Sequence, residues 1–531
     1  MTAPKTLDTV GGMIKHKMEE FPYRQRKILV VDLEKESSKF VVLEQDYCKR
    51  YLGGRLMSLS LWDSYCDYQN LAPFSYEAGN PIVIVSGACS DLDTPYVDGY
   101  VITTKSPVTQ SLVTFAGHGP FAKVLFGCEV CALVIKGRRS RLTSLAIDGL
   151  DVHFSTDETL HNLAVSDCLA RLNSSHSIIL GPAGEHQVPY SSISIDHENI
   201  GRAGLGQVFA TKNLKAITFK CLKKERAGYD SEQLGKLGEI YRKLEHYQKK
   251  TDLVGYSERN GWAAVNCFRD RTDGRLWALK GRNDFAQYFA LGTNFLKFDG
   301  DDIKPLIDQC AELGLDPYST SVVLLWARKH FSQDLSDIPH ILQGIAYRRG
   351  NSAMLSDGGD KDFYCVGNLE LAPYDLRALP AQALLVSLND DTLVYPDMIC
   401  GNHFKRGKEG KYARRAVFCQ DLRFAMETLG LPYSLSIPYF NQYLNFFMKP
   451  FAILARLASA GEGYFVSEEN MRAYGRQCYR LRKEINDKLG YKEPRTLPLE
   501  VMVDPSSNYI RDQVITLPRL LEAYTLLRER N

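Results

Sequence analysis

The residues best suited to chemistry in this 531-residue sequence are glycines set in tight runs. Gly201, Gly204 and Gly206 lie in "NIGRAGLGQVFATKNLKAI" (199–217), between the strand-like segments "SSISID" (191–196) and "LKAITFK" (214–220). Glycine tolerates positive φ and lets a ligand approach the backbone closely. A second corner, "GPAGE" (181–185), follows "SIIL", and a third is "TFAGHGPFAK" (114–123). Backbone N–H groups in such turns make anion-binding nests. Three corners in one region suggest several backbones converging on one flat or phosphate-bearing ligand. A nucleotide P-loop does not fit, because Thr211 and Asn213 replace the second glycine and the Ser/Thr of G-x-x-x-x-G-K-[ST]. A dinucleotide fingerprint does not fit either, because the glycine order is reversed.

Other reactive side chains give weaker patterns. Cys128 and Cys131 form a C-x-x-C that runs into the apolar strand "CALVIKG", which favours packing over metal binding. Cys400 and His403 can share a metal with Cys365 or Cys419 if folding gathers them. The basic run "HFKRGKEGKYARR" (403–415) reads as a solvated loop or a docking site for an acidic partner.

These groups need a framework, and the sequence describes one. Up to about residue 220 it is β-rich: "KILVVDLEK", "KFVVLEQ", "PIVIVSGA", "GYVITTKS", "ALVIKG" and "SIILGP" are short runs punctuated by Gly, Pro, Asp and Ser. Two segments within it (51–68 and 157–175) have helical period. A polar linker (221–233) follows, and beyond it helical spacing dominates. The expected fold is α+β: a β-rich domain over 1–220, a helical domain over 234–400 and a helical C-terminal domain over 401–531. No internal repeat is visible. The chain is 44% hydrophobic with a formal net charge of +2, so nothing global points to nucleic acid. No apolar run reaches the roughly 20 residues of a membrane span. A cytoplasmic protein is expected, with its 13 cysteines held as reduced thiols.

Read together, the corners resemble the aldehyde:ferredoxin oxidoreductase family of tungsten or molybdenum pterin enzymes. "KILVVDL" with "YLGGR" (51–55) is similar to the family's opening, and "TTKSP" (103–107) to its TKSP turn. "GPAGE" and "GRAGLGQVFATKNLKAI" match it almost residue for residue. "LGLDPYSTS", "GIAYRRG", "LELAPYDLRALPA", "FCQDLRFAMETLGL" and "LPRLLEAYTLLRER" continue the likeness to the end. The resemblance implies a saddle-like β-rich base under two helical domains. It also implies a bis-pterin holding the metal between them, beside a 4Fe–4S cluster. It assigns cofactor contacts to Arg55, to Gly181, Pro182, Ala183, Gly184 and Glu185, and to Gly201, Arg202, Gly204, Leu205 and Gly206. The first D-x-x-G-L-D motif reads Ala311-Glu312-Leu313-Gly314-Leu315-Asp316, which keeps Gly314, Leu315 and Asp316 as contacts. The second reads Glu427-Thr428-Leu429-Gly430-Leu431-Pro432, which keeps Glu427, Gly430 and Leu431.

The sequence departs from that pattern where the chemistry sits. A cluster needs four thiolates. The matching stretch keeps only Cys267, and Pro432 stands where the fourth cysteine belongs, so the cluster is expected to be absent. The catalytic E-Y-E becomes Asp284-Phe285-Ala286, which leaves Asp284 as the candidate acid/base residue, and the family's histidine falls at Val394. A pterin-contacting arginine falls at Gly99. The resemblance with these losses implies a degenerate relative that works as a subunit, scaffold or cofactor-handling partner of an active paralogue. The alternative is a tungsten or molybdenum pterin oxidoreductase that sends electrons out through an iron–sulfur partner.

Overall fold

The apolar runs of the first 220 residues become two six-stranded sheets. The computed structural model describes residues 25–71, 78–149, 151–221, 224–250, 290–291, 300–331, 337–361, 363–371, 376, 380–389, 408–435, 449–498 and 517–530. The first sheet holds β1 (Arg26–Asp32), β2 (Ser37–Leu43), β3 (Ile82–Ser86), β4 (Gly99–Lys105), β5 (Leu112–His118) and β6 (Ala132–Lys136), in the order β2-β1-β6-β3-β4-β5. The second holds β7 (Thr143–Asp148), β8 (Asp151–Ser155), β9 (His176–Leu180), β10 (Ile193–Ile195), β11 (Glu198–Ile200) and β12 (Leu214–Phe219). Read from its other edge, the second order is β8-β7-β12-β9-β10-β11. The two orders coincide strand for strand. In both, the first strand pairs parallel with the last and every other neighbour is antiparallel. The expectation of no internal repeat is therefore corrected: the platform is one topology built twice.

Period-2 alternation gives the central strands of the first sheet two apolar faces. Leu29, Val31, Ile82 and Ile84 of the first sheet pack with Ile178, Leu180, Ile193 and Ile217 of the second in one shared core. Ile28, Val30, Val83 and Val85 point the other way. They are covered by Leu56, Met57, Leu59 and Trp62, and by Phe424, Cys478 and Ile485 from much later in the chain. Burying each such aliphatic side chain stabilises by about 1.5–3 kcal/mol, so these strands are specified on both faces.

Helices connect equivalent strands. After α1 (Gln45–Tyr51), α2 (Gly54–Tyr65) lies between β2 and β3, and α3 (Phe121–Gly127) between β5 and β6. In the second copy α4 (Val165–Leu172), α5 (Pro182–Glu185) and α6 (Leu205–Thr211) follow β8, β9 and β11. Beyond residue 230 come α7 (Ser231–Lys250), α8 (Gly300–Leu313), α9 (Pro317–Phe331), α10 (Ile338–Ala346), α11 (Pro380–Ser387), α12 (Glu409–Leu429), α13 (Pro450–Glu462), α14 (Glu468–Lys488) and α15 (Leu517–Arg530). This is the expected α+β class. No helix among the described residues is long and apolar enough to cross a membrane.

The cysteine expectation is corrected at two positions. Cys128, after α3, and Cys221, after β12, form a disulfide that joins the two copies. Their 93-residue separation hides the pairing from sequence reading. Within the polar linker, Arg226 is held against the platform. Arg226 N–H donates to Asp91 O (2.8 Å) and Asp93 N–H donates to Arg226 O (3.2 Å). The Arg226 guanidinium pairs with the Asp91 carboxylate at 2.9 Å.

Candidate functional site

Two helix ends carry the matched motifs, and each lands on one copy of the platform. Helix α8 ends at Leu313 and Gly314 turns the chain with φ +71°. Helix α12 ends at Leu429 and Gly430 does the same with φ +91°. A left-handed residue after a helix favours glycine because a Cβ would clash there. Both glycine carbonyls then accept hydrogen bonds from the platform: Gly314 O from Ser192 N–H (2.8 Å) and Gly430 O from Gly99 N–H (2.9 Å). Tyr190 O accepts from Asp316 N–H (2.9 Å) in the second copy, and Thr428 O accepts from Ala88 N–H (2.9 Å) in the first.

The glycines of the platform make this docking possible. A Cβ on Gly181 would lie 2.7 Å from Gly314 N, and one on Gly54 would overlap the Glu427 carbonyl. The close approach inferred from sequence is thus, at these positions, an approach of backbone to backbone. Gly204 (φ +77°) faces Pro107, and Ser106 Oγ donates to Ala203 O at 2.7 Å, so the TKSP turn and the G-R-A-G corner meet. Gly184 of the "GPAGE" corner packs beside the Gly206 carbonyl of α6. The third corner, "TFAGHGPFAK", occupies in the first copy the place that "NIGRAGLG" occupies in the second. It is a counterpart rather than a third wall.

The candidate side chains divide by copy. On the first, fully buried Arg55 gives its Nε–H to Glu427, and a terminal nitrogen donates to Thr114 O at 3.1 Å. Arg423, one turn earlier on α12, donates Nε–H to the other Glu427 oxygen at 2.6 Å. Burial pushes this carboxyl up, but the two guanidinium groups outweigh it and hold Glu427 below its ordinary range. Leu431 is buried behind it. Pro432 adds no donor or charge.

On the second copy, Arg202 places Nε 3.8 Å from the Asp316 carboxylate, and one of its terminal nitrogens donates to Glu370 O. Asp316 accepts from Ser319 N–H at 2.9 Å and so caps the start of α9. Its burial pushes the carboxyl above the ordinary range despite Arg202, and Glu370 is raised for the same reason. Asn199 donates Nδ2–H to Leu315 O at 2.8 Å. Around this turn Ser191 Oγ, Ser192 Oγ, Asn199 Oδ1 and Thr320 Oγ1 are buried with no hydrogen-bond partner in the protein. Sequence reading missed these four; their signal lay only in polar types flanking the retained motif.

The remaining candidates have structural partners. Glu185 accepts from Lys215 Nζ at 2.5 Å and from Asn162 N–H at 3.1 Å. Gly181, Pro182 and Ala183 open the short helix α5; Gly201 (φ +92°) starts the turn that leads to Leu205 and Gly206 on α6. Cys419 is buried within α12 and Cys365 is half-buried on the short strand β13 (Cys365–Val366). Asp284, Cys267, Val394, Cys400 and His403 lie outside the described residues. Among the described residues, no group of three or more His, Cys, Asp or Glu is arranged to hold a metal ion.

Comparisons with known proteins agree with this architecture. Residues 28–221 match the family model described as the aldehyde ferredoxin oxidoreductase N-terminal domain. The whole chain is similar to the tungsten-containing aldehyde ferredoxin oxidoreductase of Thermococcus kodakarensis, 23% identical over 94% of this chain and 95% of that protein. The Pyrococcus furiosus enzyme of the same description is 22% identical over 94% of this chain and 95% of its own length. Among solved structures, the active-site complex BamBC of benzoyl-coenzyme A reductase with 1,5-dienoyl-CoA shares the fold. Its TM-score is 0.75 at 16% identity, covering 96% of this chain and 95% of that one. Sequence and fold together define an α+β platform with helices docked on it. Residues 28–221 match the aldehyde ferredoxin oxidoreductase N-terminal domain, and the chain as a whole is similar to enzymes of that description.

Proposed function

We propose that this protein keeps a pterin-binding platform but works as a cofactor-handling subunit or partner of an active relative, without a 4Fe–4S cluster of its own. The observation that carries this reading is the Gly430–Pro432 turn. It docks on the platform as the Gly314–Asp316 turn does, yet ends in proline where the family pattern supplies a thiolate. With Cys267 alone in the other cysteine segment, the sequence offers one of the four thiolates a cluster needs. The saturated Glu427 supports the same reading, since both of its oxygens serve Arg55 and Arg423.

A pterin fits the second copy best. Arg202, Asn199, Ser191, Ser192, Thr320 and Asp316 would hold it, and five of these carry buried polar atoms without a hydrogen-bond partner in the protein. Buried polar atoms in native proteins almost always have partners. A tungsten or molybdenum pterin supplies two-electron redox chemistry where it binds. The tungsten named for the relatives and the complex named for the structural neighbour support a metal pterin and an assembly in turn. The alternative, an oxidoreductase acting on aldehydes or related oxo compounds, draws on the same unpaired atoms and needs an electron carrier on a partner subunit. Asp284 is its proposed acid/base residue.

Metal analysis of the purified chain tests the proposal. Pterin with tungsten or molybdenum but no iron is expected, together with co-purification of an active paralogue or an iron–sulfur protein. Four irons per chain with a broad visible cluster band would overturn it. So would a lone chain that reduces dye with aldehyde.

A further inference from the structure

The duplicated platform can be compared position by position, and its two halves differ where a ligand would touch. The pairings Ser86 with Tyr100 and Leu180 with Ile193 place Asp98 opposite Ser191 in role, and Gly99 opposite Ser192. The pairings Val101 with Ala116 and Ser194 with Asn199 make Ala116 the counterpart of Asn199. The helix ends, aligned on Gly314 and Gly430, set Pro432 against Asp316. The second copy thus presents Ser, Ser, Asn and Asp where the first presents Asp, Gly, Ala and Pro.

The hydrogen-bond state of the two halves follows the same split. Ser191 Oγ, Ser192 Oγ and Asn199 Oδ1 are buried and unpaired on the second copy, with Thr320 Oγ1 unpaired beside them at the start of α9. Hydroxyl and amide groups of this kind match the ring N–H and C=O groups of a pterin, and Arg202 matches an anionic oxygen. On the first copy the glycine, alanine and proline have no polar side-chain atom to give. Its carboxylate, Glu427, is already held by two arginines. Asp98 is partly exposed beside His118, at 3.7 Å. Buried polar atoms without a hydrogen-bond partner occur there too, among them Thr94 Oγ1 and His118 Nδ1, but these two have no counterpart in the second copy's set, and the Arg55 guanidinium is engaged by Glu427 and Thr114 O.

We infer that this chain binds one pterin rather than two, held by the second copy of the platform. The inference rests on the reading that a pterin is retained, and deepens it by fixing number and place.

The test is pterin stoichiometry on the full chain, produced in cells that make metal pterin cofactors. Bound pterin is released, oxidised to its fluorescent form and counted per chain. One per chain is expected. In Ser191→Ala/Asn199→Ala the content should fall by about tenfold, because buried hydrogen-bonding partners are lost. His118→Ala and Thr94→Val on the first copy should leave it unchanged. Ser191→Ala and Thr320→Val each remove an unpaired hydroxyl, so the ligand-free protein should melt no lower than the parent. That keeps a loss of pterin distinct from a loss of fold. Two pterins per chain would overturn this inference and leave the retained-pterin reading standing. No pterin would overturn both. Equal loss from the first-copy variants would overturn the assignment to the second copy.

Discussion

Gly87 and Gly430 approach so closely that a Cβ on Gly87 would stand 2.2 Å from the Cα of Gly430. The neighbour is backbone, so a methyl group cannot be accommodated by rotating a side chain. Gly87→Ala should therefore lift the end of α12 off the first copy and cost about 3 kcal/mol or more. Gly149 provides the control. It has φ +58° but open space around it, so Gly149→Ala should cost only about 1 kcal/mol of backbone strain. Urea unfolding midpoints of the two variants distinguish crowding from strain.

Glu427→Gln should destabilise at neutral pH by about 3–5 kcal/mol, because the buried Arg55 and the partly buried Arg423 guanidinium groups lose their common counter-charge. The pH dependence has a definite sign. The folded carboxyl is held below its ordinary value of 4.5, so its contribution is present above that value and is lost as pH falls through the folded one. The gap between parent and variant should shrink in acid. Denaturant unfolding at pH 7 and across the range below pH 4.5 measures it.

Lys212 gives the opposite slope. It is fully buried at the end of α6, where Nζ donates to Gly137 O at 3.0 Å, and burial lowers it from 10.5 to about 7. Between those values the unfolded chain holds a proton that the folded chain does not, so stability rises with pH across the window. At 1.36 kcal/mol per pH unit the rise is roughly 4–5 kcal/mol at most. Lys212→Met should remove it. The difference in stability between parent and variant, followed from pH 7 to 10, is the readout.

Cys221→Ser should lower stability by about 2–4 kcal/mol, as expected for opening a long loop. A thiol reductant should lower the parent's melting temperature and leave the variant's unchanged. If the parent melts identically with and without reductant, the Cys128–Cys221 bond does not staple the platform.

The sequence showed the change from β-rich to helical because strand-length apolar runs and helical spacing are local patterns. It showed the glycine corners because a left-handed φ restricts residue type at Gly204, Gly314 and Gly430. The duplication was hidden for a physical reason. Equivalent strands share pairing direction and register but not side chains, so Gly117 in one copy stands where Ile200 stands in the other. Arg423 lies one turn from Glu427 and was open to sequence reading as an i,i+4 pair. Arg55 is 372 residues away and was not. The unpaired hydroxyls of Ser191, Ser192 and Thr320 were invisible too, since serine and threonine in a turn are ordinarily satisfied by nearby backbone.

The route of the chain also limits how the platform can move. Only residues 137–142 separate β6 from β7, a leash of at most about 25 Å even when pulled straight. The Cys128–Cys221 bond ties the far end of the second copy back to the first. With a tether at each end, the two sheets form one mechanical part that can rock slightly but not swing apart. Any gate that admits a large guest must therefore hinge on the helical side, where the chain leaves the platform after Arg226.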